Sequence, residues 1–215
     1  PKTWDDMKAL HVVFTRPVHY PQHPYVLDYA DRNGVLLVPE IPMWQFSEEQ
    51  MKDPQVLVLA KRMMQEMIEQ AGNHPSIFAW SVCNESATST PGGRAYVEAM
   101  VEHVKSLDTG RYVTYADDGL PWVTDAAQNA NQHTDFVMMN QYFGSWAGPA
   151  EGLAPALERV GTMFPDKMVF ISEFGLAGPF APDTAQADRM RIEIMESQLA
   201  EFAKHDFIGG GVVWC

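Results

Sequence analysis

The sequence predicts a β/α barrel: short continuous apolar runs alternate with amphipathic segments, and polar residues gather just after the runs. Seven such runs, rich in β-branched residues, occupy positions 11–14, 35–38, 77–82, 112–115, 136–139, 168–171 and 208–214. Continuous rather than alternating hydrophobicity predicts strands buried on both faces, as in a parallel sheet. Segment 56–70 brings Leu59, Met63 and Met67 onto one helical face, and segment 188–204 does so with Met190, Ile194, Leu199 and Phe202. Positions 4–10 read as a further helix. The connections carry turn chemistry: Asn33-Gly34, Asn73-His74-Pro75, Thr109-Gly110 and Pro165-Asp166.

The strand count refines the fold class. A whole (β/α)8 TIM barrel has eight strands and typically about 250 residues. Seven runs in 215 residues read as strands two to eight with the first missing, so residues 1–215 form one partial barrel domain. Strands two and eight would then face each other across a gap with unpaired backbone groups. By itself such a polypeptide is expected to be insoluble or inactive.

Composition narrows the partners. Hydrophobic residues make up 46% and charged residues 20%, the balance of a globular chain with a real core. No apolar run approaches the ~20 residues that span a bilayer, and the opening PKTWDDMKAL has no apolar signal core. The net charge of -13 argues against nucleic acid and anionic membrane as partners. Cys83 and Cys215 follow apolar runs and read as two buried thiols rather than a disulfide framework. Compartment and assembly into a homo-oligomer stay open.

Three runs close on a carboxylate: Glu40 after VLLVP, Glu85 after IFAWSVCN and Glu173 after MVFIS. Burying a carboxylate unpaired costs several kcal/mol, so these are not core filler. One reading is structural ion pairs to Arg16, which also closes a run. The other is chemistry, because glycoside hydrolysis needs one protonated and one ionised carboxyl group. No run ends in the histidine-rich cluster that a hydrolytic metal prefers, so no metal is expected.

Longer motifs favour the second reading. NHPSIFAWSVCNES closely resembles the acid/base segment of glycoside hydrolase family 2, and VFISEFG resembles its nucleophile segment. TRPVHYPQHPYVLDYADRNGVLLVPEIPMW is similar to the family's second and third strands with the helix between them. MNQYFGSW resembles the sixth-strand segment of the β-glucuronidase-like branch. Together these segments cover nearly the whole chain in the family's order.

The resemblance implies a catalytic barrel with Glu85 as acid/base and Glu173 as nucleophile. It implies that Asn84 bonds the sugar 2-hydroxyl, that Arg16 and Tyr142 hold Glu173, and that Trp214 forms a platform under the sugar. His19, Asn140 and Glu40 would line the pocket. Trp44 and Trp146 fall in loops on the active side, where they could contact a leaving group, whereas His74 reads as structural. A guanidinium lowers the pKa of a neighbouring carboxyl, whereas desolvation and an ionised neighbour raise it. Glu173 is therefore expected below the ordinary carboxylate range, and Glu85 above it.

Two departures from the family stand out. Cys83 replaces the usual Gly before Asn84, and IPMWQF after Glu40 lacks the Glu-x-His of the magnesium site in the large β-galactosidases. No magnesium and no organic cofactor are implied. The flanking domains and the segment that reads a sugar carboxylate would lie outside these residues.

The expected activity is a retaining exo-β-glycosidase that takes a carbohydrate substrate, a terminal β-glucuronide or β-galactoside, by double displacement. The alternatives are a related retaining glycosidase for another sugar, a carbohydrate-binding barrel without turnover, and a structural domain with ion-paired strand ends. Turnover of an aryl glycoside separates the enzymes from the last two.

Overall fold

A computed structural model describes residues 2–176 and 185–214, and all seven expected strands are present. They are β1 (Phe14–Thr15), β2 (Leu36–Leu37), β3 (Ala79–Asn84), β4 (Tyr112–Asp117), β5 (Val137–Asn140), β6 (Val169–Phe174) and β7 (Ile208–Val213). The helices are α1 (Lys2–Ala9), α2 (Pro24–Asn33), α3 (Glu48–Lys52), α4 (Pro54–Ala71), α5 (Pro91–Leu107), α6 (Leu153–Met163) and α7 (Ala185–Phe202). Cys215 lies outside the described residues.

All ladders are parallel, with β1 paired to β2 and β3 through β7 paired in sequence order. Single bridges at Leu37–Ile77, Glu40–Ser81 and Trp44–Asn84 carry the wall from β2 to β3. Spatial order that follows chain order, with helices outside, is the winding of a barrel rather than of a doubly wound sheet. Among the described residues no pairing joins β7 to β1, so the wall has an open seam where a barrel's first strand would stand.

The local chemistry explains the helix starts and stops. Asp53 caps α4 through Gln55 N at 2.8 Å and Thr90 caps α5 through Gly93 N at 3.1 Å, each followed by a proline that needs no partner. Gly34 ends α2 at φ 67, a left-handed turn in which glycine has no Cβ penalty. Gly93 is required by closeness, because a Cβ there would lie 2.0 Å from the Ala87 carbonyl oxygen.

Two apolar layers hold helices to strands. Met64, Trp80, Tyr96, Val97 and Met100 anchor one, while Val137, Leu157, Val160 and Ile171 anchor the other. Trp80 is fully buried with Nε1 donating to Asp108 at 3.0 Å, and truncating such a residue costs roughly 3–5 kcal/mol. Inside the barrel, Phe14, Val38, Ala79, Met138 and Phe170 form an apolar layer. Successive side chains alternate faces, so the next inward residues are Arg16, Glu40, Ser81, Asn140 and Ser172. Two residues along each strand turn the core into a polar mouth.

Several expectations need correction. The strands run past their apolar stretches, so Asn84, Asp117, Asn140 and Glu173 lie within strands rather than after them. The buried stripe of α4 is Ala60, Met64, Met67, Ile68 and Ala71; Leu59 is exposed and Met63 partly so. In α7 Met190 and Leu199 are exposed, and Ala187, Gln198 and Phe202 face inward, because Gln198 Nε2 donates to the Phe143 carbonyl at 2.8 Å and sets the rotation. β7 is not buried on both faces but alternates between half-buried and exposed along its length. Cys83 is buried as expected, and burial pushes its thiol well above the ordinary range.

Candidate active site

Arg16, 4% exposed, is the hub of the mouth. Its Nη1 donates to Glu40 Oε2 at 2.9 Å and to Asn84 Oδ1 at 3.3 Å, and its Nη2 donates to Glu173 Oε1. Tyr142 Oη donates to the other Glu173 oxygen at 2.5 Å. Register slips in the β5–β6 ladder pair Asn140 with Glu173 and break the simple alternation, which turns Glu173 inward beside Ser172.

Glu40 is completely buried, with both oxygens occupied: Arg16 and Ser81 Oγ (3.0 Å) on one, and His19 Nδ1 (2.5 Å) on the other. It supports Arg16 and His19, with three partners on its two oxygens where Glu173 has two. The His19 ring lies 5.7 Å from Trp44 in a stacked pose and 5.8 Å from Trp214.

Glu85 occupies the other side of the mouth. At φ 47 it holds a left-handed backbone that few non-glycine residues adopt, and it ends β3 by turning the chain outward. Asn140 Nδ2 donates to Glu85 Oε1 at 2.9 Å and to Asn84 Oδ1 at 3.2 Å, while Gln45 Nε2 donates to Glu85 Oε2 at 3.0 Å. Ser172 Oγ fixes the Asn140 amide by donating to its oxygen at 2.6 Å. Asn84 Nδ2 remains a buried donor with no protein partner. A cavity of about 550 Å³ opens beside Glu85, lined also by Asp118, Trp122, Gln141, Tyr142 and Trp146.

Fields in the mouth differ between the two buried carboxylates. Burial works to raise Glu40, but Arg16, His19 and Ser81 overcome it and hold its carboxyl below the ordinary value. Burial also raises Glu173; there Arg16 and Tyr142 oppose it, Glu85 adds repulsion, and the carboxyl ends above the ordinary value. The expected lowering of Glu173 is therefore corrected, because Arg16 divides its charge between two carboxylates and a third stands nearby.

The mouth thus gathers Arg16, Glu40, Asn84, Glu85, Asn140, Tyr142 and Glu173, with His19 touching Glu40. Trp214 stands against His19 and does not line the Glu85 cavity. Gln45 and Asp118 are residues the sequence reading missed. Asp118 was legible, since YVTYADD ends an apolar run in carboxylates like the other three. Gln45 carried no local sign. His74 has a structural place at the opposite end of the strands, its Nδ1 2.6 Å from Asp31, which also accepts from Ser76 N.

Parallel strands in chain order, with carboxylates meeting at their C-terminal ends, define a β/α-barrel domain with its polar site on the usual face. The chain belongs to the glycosyl hydrolases family 2, as its TIM barrel domain: that family's model matches residues 3–174. It is 30% identical over 131 residues to the β-glucuronidase of Pongo abelii, covering 61% of this chain and 19% of that protein. It is 25% identical to the β-glucuronidase of Paenibacillus borealis, across 99% of this chain and 38% of that one. A GH2 β-galacturonidase from Eisenbergiella tayi, solved bound to galacturonate, shares the fold at a TM-score of 0.86 and 23% identity, over 99% of this chain and 40% of that chain. The chain thus spans well under half the length of these relatives. Among the described residues no helix is long and apolar enough to cross a membrane.

Proposed function

We propose that residues 1–215 are part of the catalytic barrel of a retaining exo-β-glycosidase, with Glu173 as nucleophile and Glu85 as acid/base. The observation that carries this reading is the unequal setting of the two carboxyls. Glu173 is clamped by Arg16 and Tyr142, so one oxygen geometry is fixed for attack. Glu85 stands on a cavity wall, where a leaving group can collect its proton.

In the first step Glu173 attacks the anomeric carbon, the glycosidic C–O bond breaks, and the Glu85 proton goes to the departing oxygen. In the second, Glu85 takes a proton from water, whose oxygen attacks the same carbon and expels Glu173. Two inversions give net retention. The unpartnered Asn84 amide supplies a donor for the sugar 2-hydroxyl, and Arg16 disperses charge on Glu173 as the ester bond forms and breaks. Glu40 acts through Arg16 and His19, Asn140 holds Glu85 and Asn84 together, and Trp214 with His19 offers an aromatic wall for the sugar. The names of the relatives favour a uronic acid as the terminal sugar, a β-glucuronide before a β-galacturonide; a β-galactoside is the remaining option.

The test uses the full-length protein and a panel of aryl β-glycosides. Glu173→Ala should lose roughly 10⁴–10⁶-fold in kcat, and azide should restore turnover as a glycosyl azide of inverted configuration. Glu85→Ala should retain far more activity on nitrophenyl glycosides than on poor leaving groups. NMR of the first-formed product should show the substrate's anomeric configuration. An inverted product, or sugar binding without turnover, would defeat the reading.

A further inference from the structure

We propose that the cavity beside Glu85 is a leaving-group subsite built for a second, uncharged sugar, so that the substrate is a saccharide rather than an apolar aryl conjugate. This rests on the glycosidase reading above and extends it to what Glu85 protonates.

The argument begins with which residues line the space. Glu85, Asn140 and Tyr142 face the cavity, the last two bonded to Asn84 and Glu173 behind it, whereas Arg16, Glu40, Asn84, His19, Glu173 and Trp214 do not line it. Glu85 therefore stands between the ion-paired compartment and this one. A proton donor delivers to the oxygen that departs, so the group on the far side of Glu85 from the nucleophile is the one that leaves.

The walls then define what fits. Asp118 brings a carboxylate and Gln45 an amide, while Gln141 is 1% exposed and its Nε2 is a buried donor with no protein partner. Trp122 and Trp146, 62% and 48% exposed, add two broad apolar faces. An apolar leaving group would cover the rings but leave the Gln141 donor unpaired as before and desolvate the Asp118 carboxylate without return. Among the described residues no lysine or arginine lines the cavity, so an anionic leaving group would meet the Glu85 and Asp118 carboxylates with no cation beside them. A neutral sugar satisfies both demands: its hydroxyls pair with the carboxylate and amides, and its C–H face lies on an indole. Asp118 keeps part of its surface in solvent, yet burial on the protein side, then the charges of Glu85, Asp117 and Glu173, push its carboxyl up to about 6. Near neutral pH that carboxyl is mostly ionised, so a ligand hydroxyl bonded there donates to it.

The experiment compares two substrates sharing one glycone in the full-length enzyme: a 4-nitrophenyl β-glycoside and the β-linked disaccharide that releases glucose. The readout is the ratio of their kcat/KM values, disaccharide over aryl glycoside. Asp118→Asn and Trp122→Ala should each lower that ratio by about 10-fold or more, the scale of a lost charged hydrogen bond or packed ring. An unchanged ratio in both variants would overturn the subsite. Equal losses on the two substrates would do so too, by showing that the residues act through Glu85 or through folding. Absence of wild-type turnover on both substrates would instead defeat the glycosidase reading itself, and the subsite with it.

Discussion

The middle of the wall and its seam are built from the same strands but closed by different physics. β3 and β6 are buried along their whole length; β6 lies between β5 and β7, and β3 lies between β4 and the segment around and after β2, which meets it through single bridges. β7 alternates between half-buried and exposed, and β1 is only half-buried. Along the seam the two ends of the barrel differ again. At the amino end lies a cavity of about 570 Å³, bordered by Leu10, Val12, Phe14, Phe170 and the glycines Gly209 to Gly211. At the carboxyl end Arg16, just past β1, reaches across to Glu173 in β6 and ties the two sides with charge. The site therefore belongs to the part of the seam that is already closed, and its closure depends on an ion pair rather than on a strand ladder.

Hydrogen exchange offers the largest contrast. In the soluble fraction of the 215-residue chain, amides of β3 and β6 should be protected toward the global unfolding free energy, about 5–15 kcal/mol for a native domain. Amides of β7 on the seam side should exchange by local opening at far lower cost. Equal protection in β7 and β3 would show that the seam is closed in solution, by another segment or another copy.

Breaking the charge tie should have the next largest effect. Arg16→Met strands Glu40 and Glu173 as buried carboxylates without their cation, and losing one partner of such a pair costs about 3–5 kcal/mol. Urea unfolding measures this, and a change below about 1 kcal/mol, the scale of an exposed pair, would mean the mouth is held by packing alone.

pH profiles sharpen the comparison further, and their effects are the smallest. Under the proposed mechanism the attacking Glu173 is ionised, so kcat/KM should fall as pH drops through its raised pKa. Tyr142 lowers that pKa, so Tyr142→Phe should move the acid limb to higher pH. Glu85 raises it, so Glu85→Gln, assayed on an activated aryl glycoside, should move the same limb to lower pH. Shifts of one sign in both variants would break the assignment of the limb to Glu173.

The place of Glu85 and Glu173 at the mouth was legible because each closes an apolar run, although Glu40, which carries the same sign, is fully ion-paired and hydrogen-bonded. Arg16 was legible for the same reason, and its partnership with both Glu40 and Glu173 joins the structural and chemical readings that seemed to compete. The faces of α4 and α7 were less legible. Periodicity in 56–70 and 188–204 offered more apolar residues than one face can bury, and packing chose Met64 and Ala60 over Leu59, and Gln198 over Leu199. Gln45 could not be read at all, since its meeting with Glu85 spans 40 positions and depends on how a loop returns.

The sequence by itself determined the strand number and order, the helices between them and the carboxylates at their ends, because these follow from short-range pattern and the cost of burying charge. Tertiary structure alone decided which carboxylate Arg16 serves, that Glu173 ends raised while Glu40 ends lowered, and that Glu85 opens on a cavity of its own. The reason is range: a guanidinium 157 positions from its partner exerts a field set by ångströms in space, and a bulge turns one carboxylate inward where simple alternation would turn it out.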